Sequence, residues 1–174
     1  KLFPKLQKLA HATPADVLRA WQGLGYNRRA LALHKLAKET GKIPKSIKEL
    51  EKLPGVGPYT AGAIAVFAFD QPVPMIETNI RRVFIHEFGK TRDRDILKLV
   101  VGTLDQKRPR EWYYTLMDYG AMLGKTIPNP NRRSAHYTRQ SKFEGSNRQK
   151  RGRLLKAWLN DPRLDPSRLA RKLK

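Results

Sequence analysis

The chain has 174 residues and no cysteine, and its 36 Lys and Arg against 15 Asp and Glu leave a formal net charge of +21. That length suits one domain or two small ones with a real core, while the missing cysteines exclude disulfides, thiolate zinc sites and cysteine-ligated clusters. The charge excess points to a polyanionic partner, nucleic acid before an acidic membrane surface, and no apolar run approaches membrane-spanning length.

Taken in chain order, helix signals recur and strand signals are nearly absent. Thr13 before Pro14 predicts a helix start, with Val17, Leu18, Trp21 and Leu24 as the buried stripe. Gly23 and Gly25 break that helix. Asn27 then caps the next, which turns Ala30, Leu31, Leu33 and Leu36 inward and ends at Gly41. Ser46 with Glu49 reads as a capping box ahead of Ile47, Leu50 and Leu53. Residues 61–69 carry no charge, so a helix there is expected to be central, surrounded by other helices. Residues 70–74 form a loop, and Ile80, Val83, Phe84 and Phe88 mark a further helix. Two more helices are expected around residues 96–104 and 112–123, before Asn129, Pro130 and Asn131 break the chain.

The last 50 residues hold 15 basic and 3 acidic side chains. Ser146 and Gln149 resemble a capping box there, and Leu154, Leu155, Trp158 and Leu159 recur at helical spacing, predicting a basic helix that docks its apolar face. The expected fold is all-α, a helical bundle around the apolar helix plus a basic helical C-terminal region. Its expected parts are residues 1–88, 89–127 and 128–174.

One short stretch carries chemistry. In Pro54-Gly55-Val56-Gly57-Pro58 two glycines join two helices through a turn tight enough to bring backbone against another molecule, and Pro58 suits the first turn of the helix that follows. The free amides there, with the positive end of the helix dipole, form a place for an anion, and in so basic a chain that anion is a backbone phosphate. A purely structural helix–turn–helix corner would need the same glycines.

"LPGVGPYTAGAIAVFAF" followed by "PVPMIETNIRRVF" resembles the helix-hairpin-helix DNA glycosylases of base excision repair, and within them the MutY-type adenine-mismatch glycosylases. "VLRAWQGLGYNRRALALHKLA" and "MDYGAMLG" are similar to two further stretches of that family, so the resemblance runs in unbroken order over about residues 3–125. It implies the helix-hairpin-helix glycosylase fold and a monomer that binds double-stranded DNA carrying a mismatch or damaged base. A cytoplasmic, nucleoid-associated place goes with that partner.

The resemblance puts the phosphate grip on Gly55, Val56 and Gly57, with Thr60 adding a hydroxyl and a monovalent cation held by hairpin carbonyls. It puts the catalytic acid on Glu77, where the family commonly has aspartate, and an organising asparagine on Asn79. Cleaving an N-glycosidic bond builds positive charge on the sugar, which a carboxylate stabilises while orienting or deprotonating the attacking water. Glu77 also stands where a helix N-terminal acid would interact with the dipole, and both roles are compatible. Tyr59 replaces the lysine of bifunctional relatives, which implies a monofunctional enzyme that leaves an abasic site. Tyr26 is either a ring inserted beside the flipped base or a core tyrosine. Arg28, Arg29, Arg81 and Arg82 are phosphate contacts or members of solvated faces.

Three parts of the family pattern are missing from the sequence. An early glutamate that protonates the leaving adenine has no counterpart; that segment lies outside the given chain, or protonation is done otherwise, or the base is not adenine. The four cysteines of the family's iron–sulfur cluster are absent, so no such cofactor is expected, and a basic loop and helix with Arg132, Arg133 and Lys142 would clamp phosphate instead. The domain that reads 8-oxoguanine has no room. Adenine opposite guanine or 8-oxoguanine is the first substrate expectation and thymine or uracil opposite guanine the second. A non-catalytic DNA-binding module is the rival from another class.

Overall fold

The computed structural model describes residues 2–165, 167, 168 and 171. Among them are nine α-helices, one short 3-10 turn and no strand, as an all-α reading requires. The chain forms two compact units, residues 44–138 and the two flanking segments 1–43 and 139–174. These boundaries differ from the divisions at 88 and 127 drawn from sequence. The helices on either side of residue 88 share one core, and the helix that starts at residue 147 shares a core with the N-terminal ones.

The first unit holds α1 (Leu6–His11), α2 (Pro14–Ala20), α3 (Asn27–Glu39) and, at the other end of the chain, α9 (Asn147–Asn160). Thr13 and Asp16 close a reciprocal capping box around Pro14, which starts α2 where the sequence places it. Trp21 ends α2, and Gly23 at φ +87° turns the chain away, so Leu24 is 67% exposed instead of completing the buried stripe. On α3 the buried side chains are Ala30, His34, Leu36 and Ala37, while Leu31 and Leu33 face outward. His34 stays inside because its Nε2 reaches Ala12 O at 3.0 Å. Leu159 of α9 packs with Leu9, Val17, Leu18, Ala30 and Ala37, and Leu155 and Trp158 flank it. That is the docked basic helix expected from its spacing. Ser146 caps it by accepting from the Gln149 amide, but Gln149 Oε1 accepts from Gly145 N–H, so the reciprocal box is displaced by one residue.

The second unit holds α4 (Ile47–Leu50), α5 (Pro58–Phe69), α6 (Thr78–Phe88), α7 (Asp93–Thr103), α8 (Pro109–Thr126) and the 3-10 turn Pro130–Arg133. Ser46 precedes α4 without a side-chain cap, so the expected capping box is not formed. The core joins Val66, Met75, Ile80, Phe84, Ile85, Ile96, Val100, Leu104 and Tyr113. The apolar α5 packs on α4 and α8, whereas α6 packs on α7, α8 and the 3-10 turn. Within this unit the central element is therefore α6, and α5 leaves Ala68 exposed. Lack of charge made α5 look central, but five of its 12 residues are Ala or Gly and bury little area each. Among the described residues no helix is long and apolar enough to cross a membrane.

Candidate active site and nucleic-acid interface

The hairpin between α4 and α5 uses its two glycines differently. Gly55 sits at φ +75°, a conformation that side-chain-bearing residues rarely adopt. Gly57, at φ −94° and ψ 178°, is ordinary extended backbone, and a Cβ there would meet nothing within 4 Å. The expectation that the turn itself demands both glycines is thus corrected: only Gly55 is required by the chain's own geometry. The amide of Val56, expected in the phosphate grip, closes the turn on Leu53 O at 3.1 Å. Among the described residues the Gly57 amide has no acceptor, and its carbonyl accepts from Ala61 N–H to begin α5. Pro58 occupies the first helical position, Tyr59 is 49% exposed, and Thr60 is half-buried in the same turn.

The segment after α5 returns along it. Gln71 N–H donates to Ala65 O at 3.0 Å, and a Cβ on Gly62 would lie 3.5 Å from Met75 Cβ and 3.8 Å from Val73 Cγ1. Residues 71–75 therefore retrace α5 from its later turns towards its first, and they carry Glu77 towards the end where the hairpin lies. Tyr113 on α8 fastens this segment: its buried hydroxyl accepts from Met75 N–H at 2.8 Å and donates to Val73 O at 2.9 Å. Burial pushes the Tyr113 hydroxyl up to about 12, so it remains a neutral donor across the working pH range.

Glu77 is the N-cap of α6. Its Oε1 accepts from Asn79 N–H at 2.5 Å and from Ile80 N–H at 3.0 Å, while Oε2 accepts no hydrogen bond among the described residues. The structural reading of Glu77 is thus correct, and it leaves one carboxylate oxygen in hand. Asn79 contributes its backbone amide to that cap. Its side-chain Oδ1 accepts from Arg82 Nη1 at 2.7 Å. The same Arg82 nitrogen donates to Gly120 O on α8, and Arg82 Nε donates to Asn129 Oδ1 at 3.1 Å. Gly120 is small for a reason: a Cβ there would fall 2.3 Å from Asn79 O.

Arg81 and Arg82, read from sequence as phosphate contacts or members of solvated faces, are both engaged within the protein. Arg81 makes a two-pronged pair with Asp93 at 2.7 Å for both bonds, with its side chain 18% exposed. The hydrogen bond to Asp93 holds the guanidinium above its ordinary value despite burial, and the charge of Glu77 adds to the effect. Arg82 is held inside the α6–α8 contact. Arg133, although exposed, donates through Nη2 to Ile85 O at 2.7 Å, and Arg132 beside it is exposed. In the other unit Arg28 and Lys142 are exposed.

Tyr26 is 72% exposed, so the core-tyrosine alternative is excluded. Its backbone is left-handed at φ 48°, between Gly25 at φ +69° and the start of α3. Trp21 Nε1 donates to Gly25 O at 2.8 Å and holds the loop in that shape. A non-glycine residue in this conformation is strained, and such strain clusters at functional sites.

The iron–sulfur cluster of the resembling family does not fit this chain. The sequence has no thiolate, and among the described residues no group of His, Cys, Asp or Glu could hold a metal. After α8 the chain is anchored by polar contacts instead. Asn129 binds Arg82, Asn131 Nδ2 donates to Thr78 O at 2.9 Å, and Arg133 reaches Ile85 O.

The support of Glu77 is what local sequence patterns did not reveal. Tyr113, Gly120 and Asn129 lie 36 to 52 positions from it, and nothing in local spacing marks them. Only the small residues inside α8, Gly120, Ala121 and Gly124, hinted at a close approach.

The helix-hairpin-helix motif model matches residues 40–67, across α4, the hairpin and most of α5. The adenine DNA glycosylase of Mycolicibacterium smegmatis is 32% identical over 92% of this chain and 69% of its own length. That of Mycobacterium tuberculosis is 49% identical over 47% of this chain and 28% of its own, and the mouse enzyme is 34% identical over 87% and 32%. The chain thus spans about two thirds of the first of these relatives and about a third or less of the other two. A solved thermostable thymine-DNA glycosylase shares the fold, with a TM-score of 0.64 at 23% identity over 74% of this chain and 65% of its own. The identity to the mycobacterial enzyme over most of both lengths, together with the hairpin and the capped acid after it, places the chain: it belongs to the adenine DNA glycosylase family.

Proposed function

We propose that this chain is a monofunctional DNA N-glycosylase of base excision repair, acting as a monomer on mismatched duplex DNA. It flips out a base, adenine opposite guanine or 8-oxoguanine, and hydrolyses its glycosidic bond. The observation that carries this reading is the return of residues 71–75 along α5, which brings an acid back towards the glycine turn. Gly57, which needs no positive φ and has open space around it, is explained by the close approach of a sugar–phosphate backbone. A monovalent cation, when bound, would be held by hairpin carbonyls as part of the same grip.

In this mechanism two amides orient Glu77 through Oε1, and Oε2 faces the developing charge on the deoxyribose. An acid held by its own helix terminus loses little freedom at the moment of reaction, which is what electrostatic preorganisation requires. Tyr59, unlike a lysine amine, forms no Schiff base, so the product is an abasic site and the strand stays intact. The strained, exposed Tyr26 supports a ring that enters the stack the base leaves. The reaction runs without an iron–sulfur cluster, and the repair of DNA places the protein at the nucleoid.

A non-catalytic DNA-binding module is kept as a second reading by one observation, that Glu77 already serves as an N-cap. The test is to incubate the chain with duplexes carrying A:G, A:8-oxoG, T:G or U:G and then cleave abasic sites with alkali. Breaks at adenine that require the alkali step support the proposal; binding to all four duplexes without breaks supports the module.

A further inference from the structure

α8 holds the chain on both sides of Glu77. Tyr113 grips Val73 and Met75 before it, and Gly120, two helical turns further along the same face, meets Asn79 and Arg82 after it. Between these two grips lie only Ile76, Glu77 and Thr78, and the last of these has its carbonyl held by Asn131.

From this juxtaposition we infer that Tyr113 is a positioning residue for the glycosylase reaction, its hydroxyl setting where the Glu77 carboxylate stands. The inference rests on the proposed glycosylase activity and names a residue outside its reacting groups. The ring has little room to turn, since Phe67 and Trp112 meet it edge-on with centroids 6.3 and 4.8 Å away. The hydroxyl is therefore held at one point, and its two bonds to residues 73 and 75 fix an irregular segment that belongs to no helix or sheet. Without them the segment keeps its seat on Gly62 through Met75 but loses its register along α5. Catalysis is sensitive to displacements of about 1 Å, which can cost roughly a hundredfold in rate.

The test uses the full chain and the variants Tyr113→Phe and Val100→Ala. The first removes the hydroxyl and keeps the ring; the second loosens the same core but leaves both bonds of the Tyr113 hydroxyl in place. Three quantities are measured: hydrogen exchange of the Met75 amide, the single-turnover excision rate at saturating protein, and affinity for the mismatched duplex. For Tyr113→Phe the Met75 amide should exchange at least about tenfold faster and excision should slow roughly tenfold to a hundredfold, with affinity within about twofold of wild type. Val100→Ala should leave the rate at saturation unchanged. An unchanged Tyr113→Phe rate overturns the inference, as does a Val100→Ala rate that falls equally. If the wild-type chain cleaves none of the duplexes, it is the functional reading that fails, and unchanged Met75 exchange in Tyr113→Phe then shows separately that the hydroxyl does not hold the segment.

Discussion

Gly55 and Gly57 stand two residues apart in one turn, yet the chain makes opposite demands on them. Alanine at Gly55 must adopt φ near +75°, which costs about 1 kcal/mol or more and should lower the melting temperature. Alanine at Gly57 meets ordinary backbone and open space, so its stability should stay within about 0.5 kcal/mol of wild type. Its affinity for duplex DNA should nevertheless fall roughly tenfold, because the added methyl stands where the phosphodiester must approach. Thermal melts beside equilibrium binding separate the two variants; a Gly57→Ala chain that binds as wild type rules out the proposed grip. The same scale shows why Glu77 is ambiguous from sequence. A carboxylate that caps a helix and a carboxylate that stabilises a sugar cation occupy the same place in the chain, and only the two oxygens taken separately distinguish the roles.

Helices α6 and α7 are tied by Arg81 and Asp93, and the tie has a pH signature. The hydrogen bond from Arg81 holds the Asp93 carboxyl below the ordinary carboxylate value, with His136 at 3.6 Å adding to the effect. A depressed folded value means that this stabilisation is fully present above the unfolded value near 3.9 and is lost as pH falls through the lower folded one. Acid titration of stability should therefore steepen below about pH 4, and Asp93→Asn should flatten that part of the curve. A curve unaltered by the substitution contradicts the pairing. The elements themselves were readable wherever a periodic apolar stripe met a strong stop signal, as at Thr13–Pro14 or along Ile80, Val83 and Phe84. They were misread where tertiary contacts decided the matter: Leu24 lies beyond a glycine turn, and His34 displaced Leu31 and Leu33 because a carbonyl was waiting for it. The supports of Glu77 were not legible, since side-chain-to-backbone bonds across 40 positions leave no pattern in sequence.

For the molecule as a whole, a net charge of +21 makes phosphate contact the largest source of affinity in any DNA complex, with steep salt dependence. Five of the basic residues, Arg148, Lys150, Arg151, Arg153 and Lys156, ride on α9, which is held by one buried leucine and its neighbours. Leu159→Ala should destabilise the unit formed by the two ends of the chain by about 2–4 kcal/mol, read as a lower denaturant midpoint. A midpoint that does not move shows that α9 is not docked there. On the proposed reading, the activity depends on a single acid delivered to a sugar. The direct measurement is the single-turnover rate of adenine excision from an A:8-oxoG duplex by wild type and Glu77→Gln, each at saturating protein. Glutamine keeps an oxygen for the cap and removes the charge, so a catalytic Glu77 predicts unchanged folding and binding with a rate about 10²- to 10³-fold lower. Equal rates for the two proteins would contradict it.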